Sequence, residues 1–298
     1  MGMPCPPPAS PDPATFTPRA PAHRALIMRV PFIKMHGLGN DFVVLDGRAR
    51  ALPALNSAFA VALADRRTGI GCDQLVVLEP SGKADLKARF FNQDGSEVES
   101  CGNASRAIGL LIGQRAMVET LGGLIEVAPG AGGITVDMGQ PRFEWDQIPL
   151  AYAMDTHTMP LAWEALENPT AVNVGNPHVI FFVPDCTTIG LDRLGPEIEH
   201  DPLFPARINV NVATVLDRSH IRLRVWERGA GETRACGTGA CATAIGAMRR
   251  GLVDRQVTVS LPGGDLQIEW TEAGRILMTG PATISFHGEF NPADFGAA

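Results

Sequence analysis

One stretch of this sequence occurs twice in altered form, and this repeat constrains the fold more than any other feature. FFNQDGSEVESCGNAS and VWERGAGETRACGTGA align at an offset of 135 residues, which places Cys101 on Cys236 and Glu97 on Glu232. Three more polar pairs keep this register to within one residue: Asn40 with Asn176, Gln74 with Asn209, and Asn92 with Glu227. Polar landmarks that hold one offset over a long stretch of chain indicate a duplicated domain.

Both copies show the same order of local patterns. Short apolar or alternating runs such as FVVLD, LVVLEP, VIFFVPD and HIRLRVW predict β-strands. Each Cys-Gly pair then opens a stretch of small apolar residues, and the second stretch is followed by Gly251, the residue type that favours a helix end. A helix that is apolar on nearly all sides is buried. The sequence therefore predicts an α/β (α+β) fold of two similar, pseudo-twofold-related domains, each a barrel-like β-sheet wrapped around a central helix.

These patterns divide the chain into three segments. Residues 1–28 contain eight prolines and little apolar periodicity, and we interpret them as a disordered extension, with Met28 as an alternative start. Residues 29–145 form the predicted N-terminal domain and residues 146–280 the predicted C-terminal domain. The pattern is irregular over residues 143–170, where the two domains are expected to join.

Composition and charge exclude several classes of protein. The 298 residues include 25 Lys and Arg against 32 Asp and Glu, a net charge of −7 without clustered positive charge, so no nucleic-acid partner is expected. No apolar run approaches the roughly 20 residues of a membrane span, so no membrane association is expected. Six cysteines without a C-x-x-C pair are too sparse for a disulfide scaffold and lack the common zinc spacing. We therefore predict free thiols, no metal site and a cytoplasmic location.

Cys101 and Cys236 each stand immediately before a predicted helix start. Free N–H groups and the positive end of the helix dipole favour an anion there, so we expect a lowered thiol pKa at both cysteines. The same helix starts can hold a carboxylate. Two such ends that face each other would grip one substrate carboxylate and present a thiol to each face of the adjacent carbon, which is what inversion at that carbon requires. We interpret Cys72, Cys186 and Cys241 as small buried residues instead.

The motifs KMHGLGNDF, GIGCDQL, FFNQDGSEVESCGN, GNPH and ERGAGETRACGTGAC make the chain resemble the diaminopimelate epimerase family from about Met28 to the C-terminus. The resemblance implies interconversion of LL- and meso-diaminopimelate without pyridoxal phosphate, metal or any other cofactor. It also implies a homodimer and a last strand, within residues 281–298, that returns to the N-terminal domain.

The resemblance also implies roles for individual residues. Cys101 matches the catalytic proton donor and Cys236 the acceptor, with roles that exchange with the direction of reaction. Further matches are to the carboxylate cradle (Gly102, Asn103, Gly237, Thr238), to the grip on the distal amino-acid end (Asn40, Asn92, Asn176, Asn209, Glu227, Arg228, with Gln74 lining the site), and to residues that tune the cysteines (His178, Glu227). The sequence departs from the family pattern at Ala104-Ser105, where a glycine is usual, and in INVNVA around Asn209.

Other interpretations stay open for several of these residues. Asn40 and Asn176 also suit turns, Glu227-Arg228 also suits an exposed charge pair, and His178 also suits a structural histidine. A proline racemase-like enzyme shares the Cys-Gly-Thr-Gly run, but it would leave Arg228 and the asparagines unexplained. A switch disulfide between the two cysteines, or a zinc site at Cys236 and Cys241, is a further alternative.

Overall fold

The computed structural model of the chain describes residues 29–99 and 101–296. The predicted disordered extension, residues 1–28, lies outside the described residues. The first half contains eight strands and two helices in the order β1 (Val30–Gly37), β2 (Asn40–Asp46), α1 (Ser57–Ala64), β3 (Gln74–Glu79), β4 (Leu86–Asn92), β5 (Glu97–Val98), α2 (Gly102–Ile112), β6 (Ala116–Thr120), β7 (Gly123–Gly130) and β8 (Gly133–Asp137).

The second half begins with a small hairpin and then repeats this order. Its elements are β9 (Ala162–Trp163), β10 (Leu166–Glu167), β11 (Thr170–Asn173), β12 (Pro177–Phe182), α3 (Leu191–Glu199), β13 (Asn209–Asp217), β14 (His220–Glu227), β15 (Gly231–Thr233), α4 (Gly237–Arg249), β16 (Gln256–Leu261), β17 (Gly264–Trp270), β18 (Ile276–Gly280) and β19 (Thr283–Phe290). Short 3₁₀ helices cover Cys186–Thr188 and Pro292–Phe295.

The two halves share one set of strand pairings. In the first half β1 and β2 are antiparallel, β2 and β3 parallel, β3 and β4 antiparallel, β4 and β6 parallel, and β6, β7 and β8 antiparallel. Strands β11, β12, β13, β14, β16, β17 and β18 repeat this series. The duplicated α/β fold predicted from the sequence is therefore confirmed.

Two further strand pairings join the halves. β8 pairs with β18 in antiparallel fashion, and β19 crosses back to pair with β1 from Val30 to His36. A sheet that continues across both junctions has no edge at the boundary between the halves. The division after residue 145 stays a prediction, because the β9–β10 hairpin and irregular chain fill the join.

The helices α2 and α4 are the central helices of the two halves. Nearly every residue of α4 from Gly237 to Met248 is buried, and the first eight residues of α2 are buried as well. Gly113 and Gly251 end the two helices with left-handed φ angles of 72° and 68°, which glycine adopts without strain. Within the described residues, none of the helices has the length and apolar character to cross a membrane.

Candidate active site

Cys101 and Cys236 are the N-cap residues of the central helices α2 and α4. The Cys101 Sγ accepts from the Ala104 N–H at 3.5 Å, and the Cys236 Sγ accepts from the Gly239 N–H at 3.3 Å. Both cysteines have extended backbones, with φ of −143° and −127°. The sulfur therefore replaces the usual capping oxygen in the same way at both helix starts.

Each capped helix leaves two backbone donors free of intrahelical partners. The carbonyl groups of Cys101 and Cys236 accept hydrogen bonds from the N–H groups of Ser105 and Ala240. The two sulfurs accept from the N–H groups one residue earlier in each helix. The first two N–H groups of each helix have no acceptor within it. These four donors belong to Gly102, Asn103, Gly237 and Thr238, the residues expected from the resemblance to cradle a carboxylate. The departure at Ala104 leaves this geometry intact, since its N–H makes the capping bond.

The two helix starts approach each other near the centre of the molecule. A Cβ at Gly102 or at Gly237 would lie 3.0 Å from side-chain atoms of the buried Met278. Asn103 donates from Nδ2 to the carbonyl oxygen of Ala235 at 3.2 Å, so the first turn of α2 is bonded to the residue before Cys236. The sequence repeat predicted this meeting, and a larger side chain at either glycine would press on the end of the Met278 side chain.

The expected lowering of the cysteine pKa is wrong for this structure. Burial raises the pKa of Cys101 to about 11, and the N–H group of Ala104 offsets only part of the effect. Burial, followed by the Glu227 carboxylate, raises the pKa of Cys236 well above its ordinary value. Helix ends favour a thiolate, but removing a charged sulfur from water costs more here. Both groups are thiols at neutral pH.

Glu227 is the carboxylate that both cysteines share. It ends β14, accepts a 2.5 Å hydrogen bond from the Thr233 hydroxyl, and lies close enough to the Cys236 side chain to shift its pKa. Its negative charge raises the pKa of Cys101 as well as that of Cys236. Burial raises the pKa of Glu227 itself. The alternative of an exposed charge pair with Arg228 is therefore wrong for Glu227.

The predicted first-half residues lie at one end of the sheet. Gln74 begins β3 and is paired directly with Asn92 at the end of β4, and its Nε2 donates to the Asn92 Oδ1 at 3.0 Å. Asn40 begins β2 and donates from Nδ2 to the Asp73 carboxylate at 2.8 Å. The Gln74 Oε1 is buried without a partner, so one acceptor is left for a ligand.

The predicted second-half residues occupy the equivalent strand ends. Asn209 begins β13, donates from Nδ2 to the Pro177 carbonyl at 2.8 Å and accepts from the Arg228 backbone N–H at 3.0 Å. The exposed Arg228 guanidinium bonds the Ala206 carbonyl at 2.9 Å. No carboxylate among the described residues pairs with Arg228, which leaves its guanidinium able to bind one.

His178 is a neutral, fully buried residue of β12. Its Nδ1 lies 3.1 Å from the Asn211 Nδ2, which can only donate, and its Nε2 lies 2.9 Å from the Asn176 Oδ1, which can only accept. The proton therefore sits on Nε2, and burial lowers the pKa of His178 to about 3. His178 orients Asn176, and within the described part of the chain it bonds neither cysteine, so its predicted tuning role stays a prediction.

Sequence reasoning missed three residues that shape the site. Met278 packs on both helix starts, Asp73 fixes Asn40, and Thr233 holds Glu227. Asp73 and Thr233 lie next to or within motifs of the repeat, so the sequence could have indicated that they are near the site. Their partners are distant in sequence or on another strand, and only the fold brings them together.

A cavity of about 210 Å³ opens beside Gly102 and reaches Met138, Val174 and Gly175. All the cysteines in the described ranges are free thiols. Residues 29–99 and 101–296 contain no cluster of three or more histidines, cysteines or carboxylates that could hold a metal ion. The zinc alternative for Cys236 and Cys241 therefore has no support in the described structure.

Comparison with known proteins identifies close relatives. The family model described as diaminopimelate epimerase matches residues 32–144 and 170–285. The diaminopimelate epimerase of Erythrobacter litoralis is 63% identical over 268 residues, which are 90% of this chain and 100% of that protein. The diaminopimelate epimerase of Rhizorhabdus wittichii is also 63% identical, over 91% of this chain and 98% of that protein.

Solved structures with low sequence identity share the fold. A phenazine biosynthesis protein of the PhzF family from Enterococcus faecalis has a TM-score of 0.67 at 15% identity, over 88% of this chain and 99% of that one. A hydroxyproline epimerase from Agrobacterium vitis, with bound trans-4-hydroxy-L-proline, has a TM-score of 0.63 at 16% identity, over 88% of this chain and 91% of that one. These likenesses establish the two-domain architecture. They do not identify the substrate, which has to be inferred from the site residues.

Proposed function

Because the chain belongs to the diaminopimelate epimerase family, we propose that it interconverts LL- and meso-2,6-diaminopimelate by a two-base mechanism at Cys101 and Cys236. The chain is an isomerase. The family membership supports a role in lysine and peptidoglycan precursor synthesis. The observation that carries the mechanism is the pair of cysteine-capped helix starts that meet at Met278.

In the proposed reaction the substrate carboxylate lies between the two helix starts. Four free N–H groups, two from each helix, stabilise the negative charge that moves onto the carboxylate when the Cα proton leaves. One cysteine thiolate takes that proton, so the C–H bond breaks and an S–H bond forms. The other cysteine gives its thiol proton to the opposite face and becomes the thiolate. The two cysteines exchange protonation states in each turnover, and no cofactor is required.

The raised thiol pKa values fit this chemistry. A thiolate with a pKa of about 11 is a stronger base than one at the ordinary value, which helps it to attack a weakly acidic Cα–H. A thiolate must still form from two resting thiols. Glu227 lies close to Cys236 and can take its proton, so that the pair passes from thiol and carboxylate to thiolate and carboxylic acid. Substrate binding, which expels water, would favour this transfer.

The distal amino-acid end of the substrate distinguishes diaminopimelate from proline. The Arg228 guanidinium can bind the second carboxylate of diaminopimelate. Glu227 and the asparagine side chains can bind the second ammonium group. The polar strand ends at Asn92, Asn176 and Asn209 would lack a partner on a substrate that has one carboxylate. The hydroxyproline epimerase likeness at 16% identity concerns the fold alone.

The test is incubation of the reduced protein with LL-diaminopimelate in D₂O. We expect meso product with deuterium at the inverted Cα, and loss of epimerisation by at least a thousandfold in Cys101→Ala and in Cys236→Ala. Cys186→Ala is the matched control, because Cys186 is a buried cysteine outside this site. Turnover that persists in both active-site variants would rule out the two-base mechanism. Turnover of proline without turnover of diaminopimelate would reject the substrate.

We further propose that the protein is a cytoplasmic homodimer without a nucleic-acid partner. A groove of about 420 Å³ lies between β1, β2 and β19, away from the cysteines. Ile284 and Phe286 are exposed on β19, one of these strands, with 40% and 51% of their surfaces accessible. Apolar side chains next to a groove suit burial by a second copy. The net charge of −7 supports the exclusion of nucleic acid.

A further inference from the structure

A hydrogen-bonded chain runs from the first half of the molecule to the residue before Cys236. The Asp73 Oδ2 accepts from the Asn40 Nδ2 at 2.8 Å, and the Asn40 Oδ1 accepts from the Asn103 Nδ2 at 3.2 Å. The second hydrogen on the Asn103 Nδ2 goes to the carbonyl oxygen of Ala235, also at 3.2 Å. The chain therefore crosses between the halves close to both helix starts.

The two ends of this chain fix the orientation of both amides. A carboxylate and a backbone carbonyl can only accept hydrogen bonds. Asn40 must therefore turn its NH₂ group toward Asp73 and its oxygen toward Asn103. Asn103 must turn its NH₂ group toward Ala235 and Asn40. Neither amide can flip without placing two acceptors or two donors against each other.

This orientation leaves one buried acceptor free. The Asn103 side chain is 3% exposed, and its Oδ1 has no hydrogen-bond partner. The Oδ1 faces the start of α4, where it lies 3.3 Å from the position that a Cβ of Gly237 would occupy. A buried acceptor without a partner is costly, so a donor on a ligand would be stabilised there.

The chemistry of the substrate identifies that donor. At the reacting centre of an amino acid, the ionised carboxylate only accepts and the ammonium group only donates. The carboxylate suits the backbone N–H groups of the helix starts, and the ammonium group suits a carbonyl oxygen. The Asn103 residue can thus serve both groups, with its backbone N–H for the first and its Oδ1 for the second.

Asp73 is itself held firmly in place. Its Oδ1 accepts from the Arg66 Nη2 at 2.7 Å, and its Oδ2 accepts from the Asp41 backbone N–H at 3.0 Å as well as from Asn40. The Gln93 Nε2 lies 3.5 Å from the Oδ1. Both oxygens are thus occupied by donors, which only a carboxylate can accept together.

We propose that Asp73 is a positioning residue for the epimerase reaction. Its carboxylate orients Asn40 and, through Asn40, turns the Oδ1 of Asn103 toward the ammonium group at the reacting centre of the substrate. Asp73 itself does not touch the reacting atoms. The proposal rests on the proposed function, since it assigns a partner to one group of that substrate.

Asp73→Ala tests the proposal by removing the acceptor that orients Asn40. Asn40 can then turn its NH₂ group toward Asn103, which places two donors against each other and opposes the present orientation of Asn103. We expect the KM for LL-diaminopimelate to rise about tenfold, the effect of losing one hydrogen bond to a charged group, with kcat within about threefold of the parent. The inhibition constant of pimelate, which has both carboxylates and lacks both amino groups, should change less than about twofold, because that ligand has no ammonium group for Asn103.

Asp217→Ala is the matched control, because the exposed Asp217 accepts hydrogen bonds from Ser219 within its own turn, away from the site. A KM of Asp73→Ala equal to that of Asp217→Ala overturns the proposal, and so does an equal rise in KM and in the pimelate inhibition constant. If Asp73→Ala does not fold, Asn40→Ala replaces it, since it removes the middle residue of the hydrogen-bonded chain and leaves Asp73 in place. An unchanged KM in that variant is then the refutation, against an expected rise of about tenfold. A parent protein that does not turn over diaminopimelate fails the proposed function instead.

Discussion

Acidification from pH 7 to pH 5 should destabilise this protein through one residue, His178. The folded structure holds His178 neutral, because Nδ1 accepts from Asn211 and a second proton on that nitrogen would face a donor. Burial lowers its pKa from the ordinary 6.5 to about 3. Below pH 6.5 the His178 imidazole of the unfolded chain gains a second proton, whereas the imidazole of the folded protein stays neutral until the pH approaches 3. Stability is therefore full above pH 6.5 and is lost as the pH falls toward 3.

The size of the effect follows from the two pKa values. With 6.5 in the unfolded chain and about 3 in the folded protein, His178 contributes a loss of about 2 kcal/mol in unfolding free energy between pH 7 and pH 5. The full loss approaches about 5 kcal/mol near pH 3. Such a change is a large fraction of the stability of an ordinary domain.

Urea denaturation at pH 7, 6 and 5 measures this loss directly. Carboxylates also titrate in acid, so the relevant quantity is the difference between the parent and His178→Gln, a variant that keeps an amide donor and has no proton to gain. We expect the parent to lose about 2 kcal/mol more than the variant between pH 7 and pH 5. Equal pH dependence in the two proteins, or an imidazole that titrates near 6.5 by NMR in the folded parent, would refute the reasoning.

Two further predictions concern contacts between parts of the chain. Gly263→Ala should destabilise the protein by about 3 kcal/mol in urea denaturation, because its Cβ would lie 2.0 Å from the Leu38 carbonyl oxygen, whereas Gly122→Ala at the equivalent turn meets nothing closer than 3.2 Å and should cost under about 1 kcal/mol. Similar losses in the two variants would contradict this contact. Phe286→Ser should convert the proposed dimer to monomer in sedimentation equilibrium without loss of epimerase activity per chain, and a dimer of unchanged affinity would exclude that face.

The topology of this fold was predictable because the repeated residues determine local structure, such as turns, helix ends and strands. Gly251 marks the end of α4 in the sequence, and the structure places it there with a left-handed φ. The pairs Gln74 with Asn92 and Val210 with Trp226 lie in equivalent registers, as the constant offset requires. Turn, cap and strand preferences act over a few residues, so a single sequence contains them.

The protonation of the site was not predictable in the same way. A cysteine before a helix start suggests a lowered pKa, since the helix dipole is a local feature. The opposing desolvation comes from burial against a core that includes residues as distant as Met278, which lies 177 residues after Cys101 in the sequence. The role of Asp73 is equally hidden, because its partner Asn40 lies 33 residues away on another strand. Both effects depend on packing between distant segments.

The departures from symmetry within the repeat are what make the site an acid–base pair. Two identical thiols in identical surroundings would have no preference for which one holds the proton. Glu227 replaces the equivalent Asn92 and lies close to Cys236, while it acts on Cys101 through its charge. On the other side, the buried Arg106 guanidinium lowers the pKa of Cys101, and the equivalent position in the second half is the uncharged Cys241. The duplicated backbone thus supplies two opposed thiols. Glu227 gives Cys236 a neighbour that can accept its proton, and Arg106 gives Cys101 a neighbour that favours its thiolate.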